Sequence, residues 1–262
     1  MKINALAPWA GSKRQFAHII AELAGKRRMW YEMFAGGVSL IWAQPICDVE
    51  MLCDLNDEII TVAQTLQNRP NEVLLLLRDM SFSRETFDLA VANKTNMHDT
   101  ASWTANRLAA WWMGLNGLAG TEEKPVFGTR KTKTGGSPIT RWNSFRESLP
   151  EMIERMKHCA FLHRDFRNTE FPDEKGVVIY ADPPYVRKSF RYLKDFSYMD
   201  HHLLADKLNK IQRSKVIVSY GDDPLVDKLY KGWQKITLPA SNSMAHSLGK
   251  TSNAVEILLV RN

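Results

Sequence analysis

The sequence contains few cysteines, no long apolar run and no complete dinucleotide-binding glycine pattern. Its three cysteines show no metal-ligand spacing and cannot all pair, which argues against a disulfide scaffold or a zinc module and predicts a reducing, cytoplasmic environment. No stretch approaches the roughly 18 apolar residues of a membrane span, and the first residues lack a signal-peptide pattern, so we expect a soluble protein. The pattern Gly-x-Gly-x-x-Gly is absent, which argues against a nucleotide-binding oxidoreductase.

The chain carries an excess of positive charge on an otherwise ordinary globular composition. Of its 262 residues, 44% are hydrophobic and 24% are charged, and the formal net charge at pH 7 is +6. That length accommodates one large domain, or a core domain with a smaller inserted one. A basic surplus of this size favours an anionic partner, of which nucleic acid is the commonest.

The most informative stretch is residues 177–185. Residues 177–181 are apolar or aromatic and mostly β-branched, which predicts a strand buried on both faces. Asp182 follows at the strand end, and the two prolines after it prevent helix or further strand pairing. Open α/β sheets bind ligands beyond the carboxyl ends of their strands. This position presents a carboxylate, a rigid backbone carbonyl and the Tyr185 ring together, which suits the binding of a flat ring that carries an amine. The simpler interpretation is a strand exit with a capping aspartate.

A second ligand-binding pattern lies nearer the N-terminus. Residues 29–33 predict a strand, residues 35–37 a tight turn and Val38 onward a helix, and the two glycines of the turn let a ligand approach the backbone. A strand predicted at 49–53 ends at Asp54, the position at which nucleoside sites bind ribose hydroxyls. Turn and acid together favour a nucleoside-containing ligand, and the alternative is a plain turn.

The segment before this turn predicts a loop followed by a helix over residues 13–23, with Ser12 as its cap. Lys13 then projects from the first helical turn, where a cation opposes the helix dipole. We therefore expect Lys13 to reach an anionic group near the helix end. Trp9 in the loop is either a ligand contact or a core anchor.

The middle of the chain predicts a helical region followed by a basic hairpin. Residues 56–116 show helical spacing of apolar residues, and we expect their tryptophans in the core. From Lys124 to Arg146 there are six lysines or arginines and no acid. We interpret residues 124–142 as a β-hairpin, with strands at 126–127 and 139–142 and a basic tip that enters a major groove or follows phosphates. The alternative is a solvated loop.

The remaining segments predict alternating helices and strands. We expect helices over 144–157, 200–213 and 224–230, and strands over 160–163, 215–219, 233–239 and 254–260. Asp165 and Phe166 again place an acid and an aromatic ring after a strand. Residues 187–198 are polar, aromatic and irregular, which favours a segment that closes over a ligand.

Several separated blocks resemble, in order, those of the Dam-type (D12 class, alpha-group) DNA adenine-N6 methyltransferases of phage, prophage or restriction–modification systems. The blocks are Pro8-Trp9-Ala10-Gly11-Ser12-Lys13, Phe34-Ala35-Gly36-Gly37, Asp54-Leu55-Asn56-Asp57, Asp165-Phe166 and Asp182-Pro183-Pro184-Tyr185. Together they span nearly the whole chain.

The resemblance implies a fold, a cofactor and a partner. The fold is an α/β, Rossmann-like class I methyltransferase sheet of seven mostly parallel strands, interrupted by a mostly helical target-recognition insert with a β-hairpin. The implied domains are an N-terminal catalytic segment (residues 1–56), the insert (residues 57–145) with the hairpin 124–142, and a C-terminal catalytic segment (residues 146–262). The implied cofactor is S-adenosylmethionine and the partner is double-stranded DNA, with a monomeric protein and no metal.

The resemblance also assigns roles by position. It places Trp9 and Lys13 at the methionine end of the cofactor, and Phe34, Ala35, Gly36 and Gly37 along its length. Asp54 is placed at the ribose, and Asp165 and Phe166 are placed at the adenine. Asp182 faces both the cofactor and the target base. The expected DNA-binding residues are Asn116, Lys124, Arg130, Lys131, Lys133 and Arg141. The expected catalytic residues are Asp182, Pro183, Pro184 and Tyr185.

This assignment is chemically consistent. An adenine amine is a poor nucleophile because its lone pair is delocalised into the ring. The Asp182 carboxylate and the Pro183 carbonyl can accept hydrogen bonds from its two N–H groups and turn the lone pair toward the methyl group. Tyr185 can stack on the flipped base.

Alternatives stay open at this point. Cytosine amino-methylation is one, although relatives with that activity usually place serine where Asp182 stands, and a catalytically silent DNA-binding relative is another. Residues 120–124 differ from those of GATC-specific relatives, so a relaxed or different target is possible. Ser12 replaces a usual glycine, and residues 243–250 lack an arginine that relatives often carry.

Overall fold

A seven-stranded sheet organises the chain. The computed structural model describes residues 5–95, 98–115, 119–122, 124–129, 137–186, 196–238 and 255–262. Its strands are β1 (Met29–Met33), β2 (Val49–Asp54), β3 (Cys159–His163), β4 (Val177–Ala181), β5 (Lys215–Gly221), β6 (Gln234–Thr237) and β7 (Glu256–Arg261). They lie in the order β3-β2-β1-β4-β5-β7-β6. The expected seven-stranded α/β sheet is confirmed.

Parallel pairing dominates the centre of the sheet. Strand β1 pairs in parallel with β2 and with β4, and β4 pairs in parallel with β5, whereas β7 runs antiparallel to β5 and β6. Every residue of β1 and β4 is buried, as expected for strands covered on both faces. The carboxyl ends of β1, β2, β4 and β5 therefore meet at one edge.

Eight α-helices accompany these strands among the described residues. They are α1 (Ala17–Ala24), α2 (Asp57–Asn68), α3 (Pro70–Asp79), α4 (Arg84–Ala92), α5 (Thr100–Met113), α6 (Pro138–Met156), α7 (Tyr198–Asn209) and α8 (Pro224–Leu229). The expected helical region after residue 56 is thus confirmed as α2 to α5. Asn56 begins it, because its side chain accepts a hydrogen bond of 3.2 Å from the backbone amide of Ile59.

The predicted basic hairpin is wrong in its second strand. Residues 139–142 belong to α6, in which Pro138 occupies the first turn and Trp142, Phe145 and Leu149 lie on the buried face. Helical spacing of these large apolar residues outweighs the short β-like run. Phe127 forms only an isolated antiparallel bridge with Gly114, and residues 130–136 lie outside the described residues.

Two helix boundaries near the N-terminus also differ from expectation. Ser12 does not cap a helix, because a short 3-10 helix (Arg14–Phe16) comes first and α1 begins only at Ala17. Past the glycine turn the expected helix from Val38 is reduced to a 3-10 turn, Ile41–Ala43. Both differences reflect local backbone turns that the apolar spacing does not encode.

The chain divides into two compact units. The helical unit comprises residues 1–14, 36–42 and 56–161, and its core includes Trp112, whose ring stacks on Phe145 at 4.6 Å and whose indole donates to the Leu6 carbonyl at 3.0 Å. The sheet unit comprises residues 15–35, 43–55 and 162–262, and in its core α7 and α8 bury Leu204, Leu208 and Val226 together with apolar residues of the sheet.

Candidate active site

The carboxyl edge of the sheet unit brings several predicted site residues to the same level. Met33 of β1 is in register with Cys53 of β2 and Ala181 of β4, and Ala181 is in register with Val218 of β5. The next residue of each strand is therefore Phe34, Asp54, Asp182 and Ser219. The edge predicted from separate segments of the sequence is assembled by parallel pairing.

The segment after β4 presents its polar groups at this edge. Asp182 is partly exposed, Pro183 is buried, and Pro184 and Tyr185 are partly exposed. The Tyr185 hydroxyl lies 3.4 Å from the Ser219 hydroxyl, so the ring is directed along β5. A carboxylate, a backbone carbonyl fixed by proline and an aromatic ring thus follow one another beyond a buried strand.

A buried glutamate that our sequence reasoning did not identify lies behind this edge. Glu32 on β1 is 2% exposed and accepts a hydrogen bond of 2.9 Å from the Trp30 indole. Burial raises the pKa of Glu32 to about 8; the bond from Trp30 opposes this shift, and the negative charges of Asp182, Asp54 and Glu50 add to it. In the sequence, this residue could have been recognised as an acid within an otherwise apolar predicted strand.

Phe34 takes an unusual backbone conformation at the end of β1. Its φ is +70°, in the left-handed region that non-glycine residues rarely occupy and that is often found at functional sites. Its ring packs against Phe166 at 5.6 Å and Phe196 at 5.8 Å. The structure thus joins Phe34 and Phe166, predicted separately, in one aromatic cluster.

Asp165 belongs to an ion-pair network. Its carboxylate accepts from the Arg167 backbone amide at 2.9 Å and from the Arg167 guanidinium at 3.1 Å. The same guanidinium makes two bonds of 2.7 Å to Asp200 at the start of α7, where Asp200 also forms a capping box with Ser197. The hydrogen bonds from the Arg167 guanidinium are the main reason that the pKa of Asp200 is lowered to about 2.

This network predicts a loss of stability in acid. The folded-state pKa of Asp200 lies below its usual value of 3.8. The contribution of Asp200 to the free energy of unfolding is therefore fully present above pH 3.8 and is lost as pH falls through 2. We expect Asp200→Asn to lower the free energy of unfolding by about 2 kcal/mol at neutral pH and by less at pH 2.5. Denaturant unfolding at both pH values measures this, with Asp206→Asn, an exposed acid of α7, as control. A pH-independent difference would contradict the prediction.

In the helical unit, Trp9 packs against glycine backbone. A Cβ built on Gly36 would lie 2.9 Å from the Trp9 indole nitrogen, one on Gly37 would lie 2.8 Å from the Trp9 Cβ, and one on Gly120 would overlap the ring. Gly120 has a φ of +77°, which also favours glycine. These three contacts hold the Trp9 ring against glycine backbone, and Trp9 itself is partly exposed, so its predicted ligand contact stays a prediction beside the core-anchor interpretation.

Lys13 is buried, with 4% of its surface exposed, and its ammonium donates to the Gly11 carbonyl at 2.6 Å. Burial of a cation is costly unless hydrogen-bond acceptors or an anion accompany it. The expectation that Lys13 faces an anionic group is therefore chemically reasonable.

The predicted DNA-binding residues fall into three groups. Lys124 is exposed. Arg141 donates its guanidinium protons to the carbonyls of Trp112 and Gly114 at the end of α5, and burial lowers its pKa, so its surroundings fit a helix-capping role better than a phosphate contact. The predicted contacts Asn116, Arg130, Lys131 and Lys133 lie outside the described residues.

Neither a metal centre nor a membrane-spanning helix is found among the described residues. Across these ranges, no three or more histidine, cysteine, aspartate or glutamate side chains are arranged to hold a metal ion. Within the same ranges, no helix has the length and apolar character needed to cross a membrane.

The sequence is similar to those of known DNA adenine methylases. Residues 9–244 match the sequence family "D12 class N6 adenine-specific DNA methyltransferase". The retron Ec67 DNA adenine methylase of Escherichia coli is 25% identical, over 98% of this chain and 91% of that protein. The DNA adenine methylase of Vibrio cholerae serotype O1 is 24% identical, over 98% and 95%. The crystal structure of the 23S rRNA methyltransferase ErmE aligns with a TM-score of 0.41 and 9% identity, over 97% of this chain and 69% of that one.

Proposed function

The chain belongs to the D12 class N6 adenine-specific DNA methyltransferases, whose family match covers residues 9–244, and from this membership we propose how its residues divide the work. The enzyme methylates adenine in DNA with S-adenosylmethionine as donor. We assign the chemistry to Asp182, Pro183, Pro184 and Tyr185, acting on an adenine flipped out of double-stranded DNA at a specific sequence. The observation that carries this assignment is the emergence of Asp182 and Pro183 directly beyond buried β4, level with Asp54 of β2.

The residues present fit the charge of the cofactor. S-adenosylmethionine carries a sulfonium, an ammonium and a carboxylate. In the sheet unit, Asp54 and Asp182 lie beyond two neighbouring strands of the carboxyl edge, and their negative charge suits the two cationic groups. In the helical unit the buried ammonium of Lys13 suits the carboxylate.

The individual cofactor roles follow from these positions. Asp54 is placed to accept hydrogen bonds from ribose hydroxyls at the end of the second strand. The partly exposed Phe34 ring, backed by the buried Phe166 ring, offers an apolar wall for the adenine. Asp165, held by Arg167, keeps a fixed orientation. The turn formed by Ala35, Gly36 and Gly37 follows Phe34 and lines the cofactor. Trp9 packs against the two glycines, and its partly exposed side chain is available to the methionine end of the cofactor.

Asp182 and Pro183 orient the nucleophile. When bound, S-adenosylmethionine supplies an electrophilic methyl group. The adenine amine donates one hydrogen bond to the Asp182 carboxylate and another to the Pro183 carbonyl. These two bonds draw the nitrogen toward tetrahedral geometry and expose its lone pair. Both acceptors are fixed by β4 and by the prolines before the base arrives, so positioning and preorganised charge supply most of the rate.

Tyr185 recognises the flat ring of the base. Its partly exposed side chain follows the two acceptors in sequence, so a base whose amine meets Asp182 lies within reach of the Tyr185 ring. Stacking on an aromatic ring offsets some of the cost of unstacking a base from the duplex. The family match favours adenine over the cytosine alternative, because the family is adenine-specific.

Methyl transfer from labelled S-adenosylmethionine to unmethylated double-stranded DNA tests the proposed function. Digestion to nucleosides should place the label in N6-methyladenine, and sequence-resolved mapping should show a restricted context. Label in cytosine, or no label in DNA despite measured cofactor binding, would contradict the proposal. The phage, prophage or restriction–modification setting and the monomeric state stay predictions.

The basic residues Arg130, Lys131 and Lys133, which we call the basic segment, predict that the affinity for DNA depends on salt concentration. Replacing Arg130, Lys131 and Lys133 with alanine should weaken DNA binding. It should also make the negative slope of log K against log salt shallower, by about 0.9 for each phosphate that is no longer neutralised. Fluorescence anisotropy across a salt series measures the slope. A variant with three exposed lysines of the sheet unit replaced, Lys210, Lys228 and Lys231, removes the same charge elsewhere. Equal slopes in the two variants would show that the basic segment does not meet phosphates.

A further inference from the structure

Three consecutive residues of β5, Ser219, Tyr220 and Gly221, each lie close to the Tyr185 ring, and we name residues 219–221 the β5 contact surface. The Ser219 hydroxyl lies 3.4 Å from the Tyr185 hydroxyl, and the Tyr220 ring centre lies 5.9 Å from that of Tyr185. The ring also lies against the backbone of Gly221, where an added Cβ would come within 3.2 Å of the ring atom Cδ2. The hydroxyl pair is long for a hydrogen bond, so packing contributes most of the constraint.

Buried side chains of α7 and of the preceding segment hold Tyr220 of the β5 contact surface in place. Tyr220 is fully buried, and its hydroxyl lies 2.9 Å from Nδ1 of His201 on α7. His201 is 2% exposed and meets the Phe196 ring edge-on at 4.7 Å. Buried, close-packed and hydrogen-bonded groups resist displacement. Tyr185 is only partly exposed beyond the strand end, so any added volume at Gly221 displaces Tyr185 rather than Tyr220.

The reason for glycine at position 221 is space and not backbone conformation. Its φ lies outside the left-handed region, so alanine can adopt the same backbone. Replacing a strand glycine with alanine ordinarily stabilises the fold slightly, since the unfolded chain loses freedom. A position where alanine is compatible with the backbone but would press on the Tyr185 ring is suited to a functional role.

We propose that Gly221 is a positioning residue for the target base: its missing Cβ sets the depth of the Tyr185 ring, so that β5 fixes the plane on which the base stacks. The inference rests on the proposed function, in which Tyr185 stacks on the flipped adenine. It identifies a position, distant in sequence from the Asp-Pro-Pro-Tyr segment, that controls how well the amine meets its two acceptors.

The variant Gly221→Ala tests this inference. We expect an unchanged or slightly raised melting temperature and an unchanged affinity for S-adenosylhomocysteine by calorimetry. Single-turnover methyl transfer should fall about tenfold, because a ring displaced by a few tenths of an ångström misplaces the reacting amine. Fluorescence of 2-aminopurine at the target position, which reports base stacking, should change in parallel. A purely structural role would move the melting temperature and leave the fluorescence signal of the bound base intact.

A double-mutant cycle with Tyr185→Ala separates the possible outcomes. If Gly221 acts through the ring, Gly221→Ala has no further effect in the Tyr185→Ala background. An equal loss in both backgrounds, or no loss in either, would overturn the inference while the role of Tyr185 stands. A Tyr185→Ala variant with full activity would instead refute the stacking role and the inference together.

Discussion

Asp182→Ala should abolish methyl transfer, with a loss in turnover of at least about 10³-fold. The alanine cannot accept a hydrogen from the adenine amine, so the nitrogen keeps its planar, delocalised form and its lone pair stays in the ring. Asp182→Asn keeps the size and one carbonyl acceptor but not the charge, and we expect an intermediate loss of about 10²-fold. Single-turnover kinetics with saturating cofactor and DNA measures both.

The control for Asp182→Ala is Asp222→Ala. Asp222 follows β5 at the same edge, is exposed and forms a surface ion pair of 2.6 Å with Lys235, so its removal should cost little stability and no turnover. Circular dichroism and thermal unfolding should show both variants folded. Retained turnover in folded Asp182→Ala would remove Asp182 from the mechanism, and a similar loss in Asp222→Ala would indicate a general effect of charge at this edge.

Glu32→Gln should make the free energy of unfolding much less dependent on pH. The folded-state pKa of Glu32 is raised from 4.5 to about 8, so the stabilising contribution of its protonated form is complete below pH 4.5 and is lost as pH rises through 8. At about 1.4 kcal/mol for each pKa unit, the total change is on the order of 5 kcal/mol. Glutamine is neutral at all these pH values and can still accept the bond from Trp30.

The measurement is denaturant unfolding of wild type and Glu32→Gln from pH 5 to pH 9 without cofactor. Their difference should grow with pH in favour of the variant, because only the wild type must bury a charge beside Glu50, Asp54 and Asp182. Glu147→Gln, which removes an exposed glutamate from α6, should follow the wild type throughout. Parallel curves for wild type and Glu32→Gln would show that Glu32 keeps one protonation state over this range.

Elements with local sequence signals were predicted correctly before any contact was known. The apolar run of β4 and the acid, prolines and tyrosine after it predicted a buried strand ending at a ligand edge, and the described strand ends where expected. Helical spacing over 56–116 predicted the α2 to α5 region. The ordered blocks predicted the adenine methyltransferase family, which the family match confirms. These conclusions needed only periodicity, residue chemistry and order along the chain.

Other features depend on contacts between segments that are distant in sequence, and they became visible in the folded chain. Residues 139–142 became helix because Trp142 packs with Phe145 in the core of the helical unit, which outweighs a short β-like run. Glu32 gained a raised pKa from burial, and Asp165 gained its orientation from Arg167 and from Asp200, which is 33 residues farther along the chain than Arg167. Neighbourhood in space sets desolvation, ion pairing and steric room, and a linear pattern does not contain it.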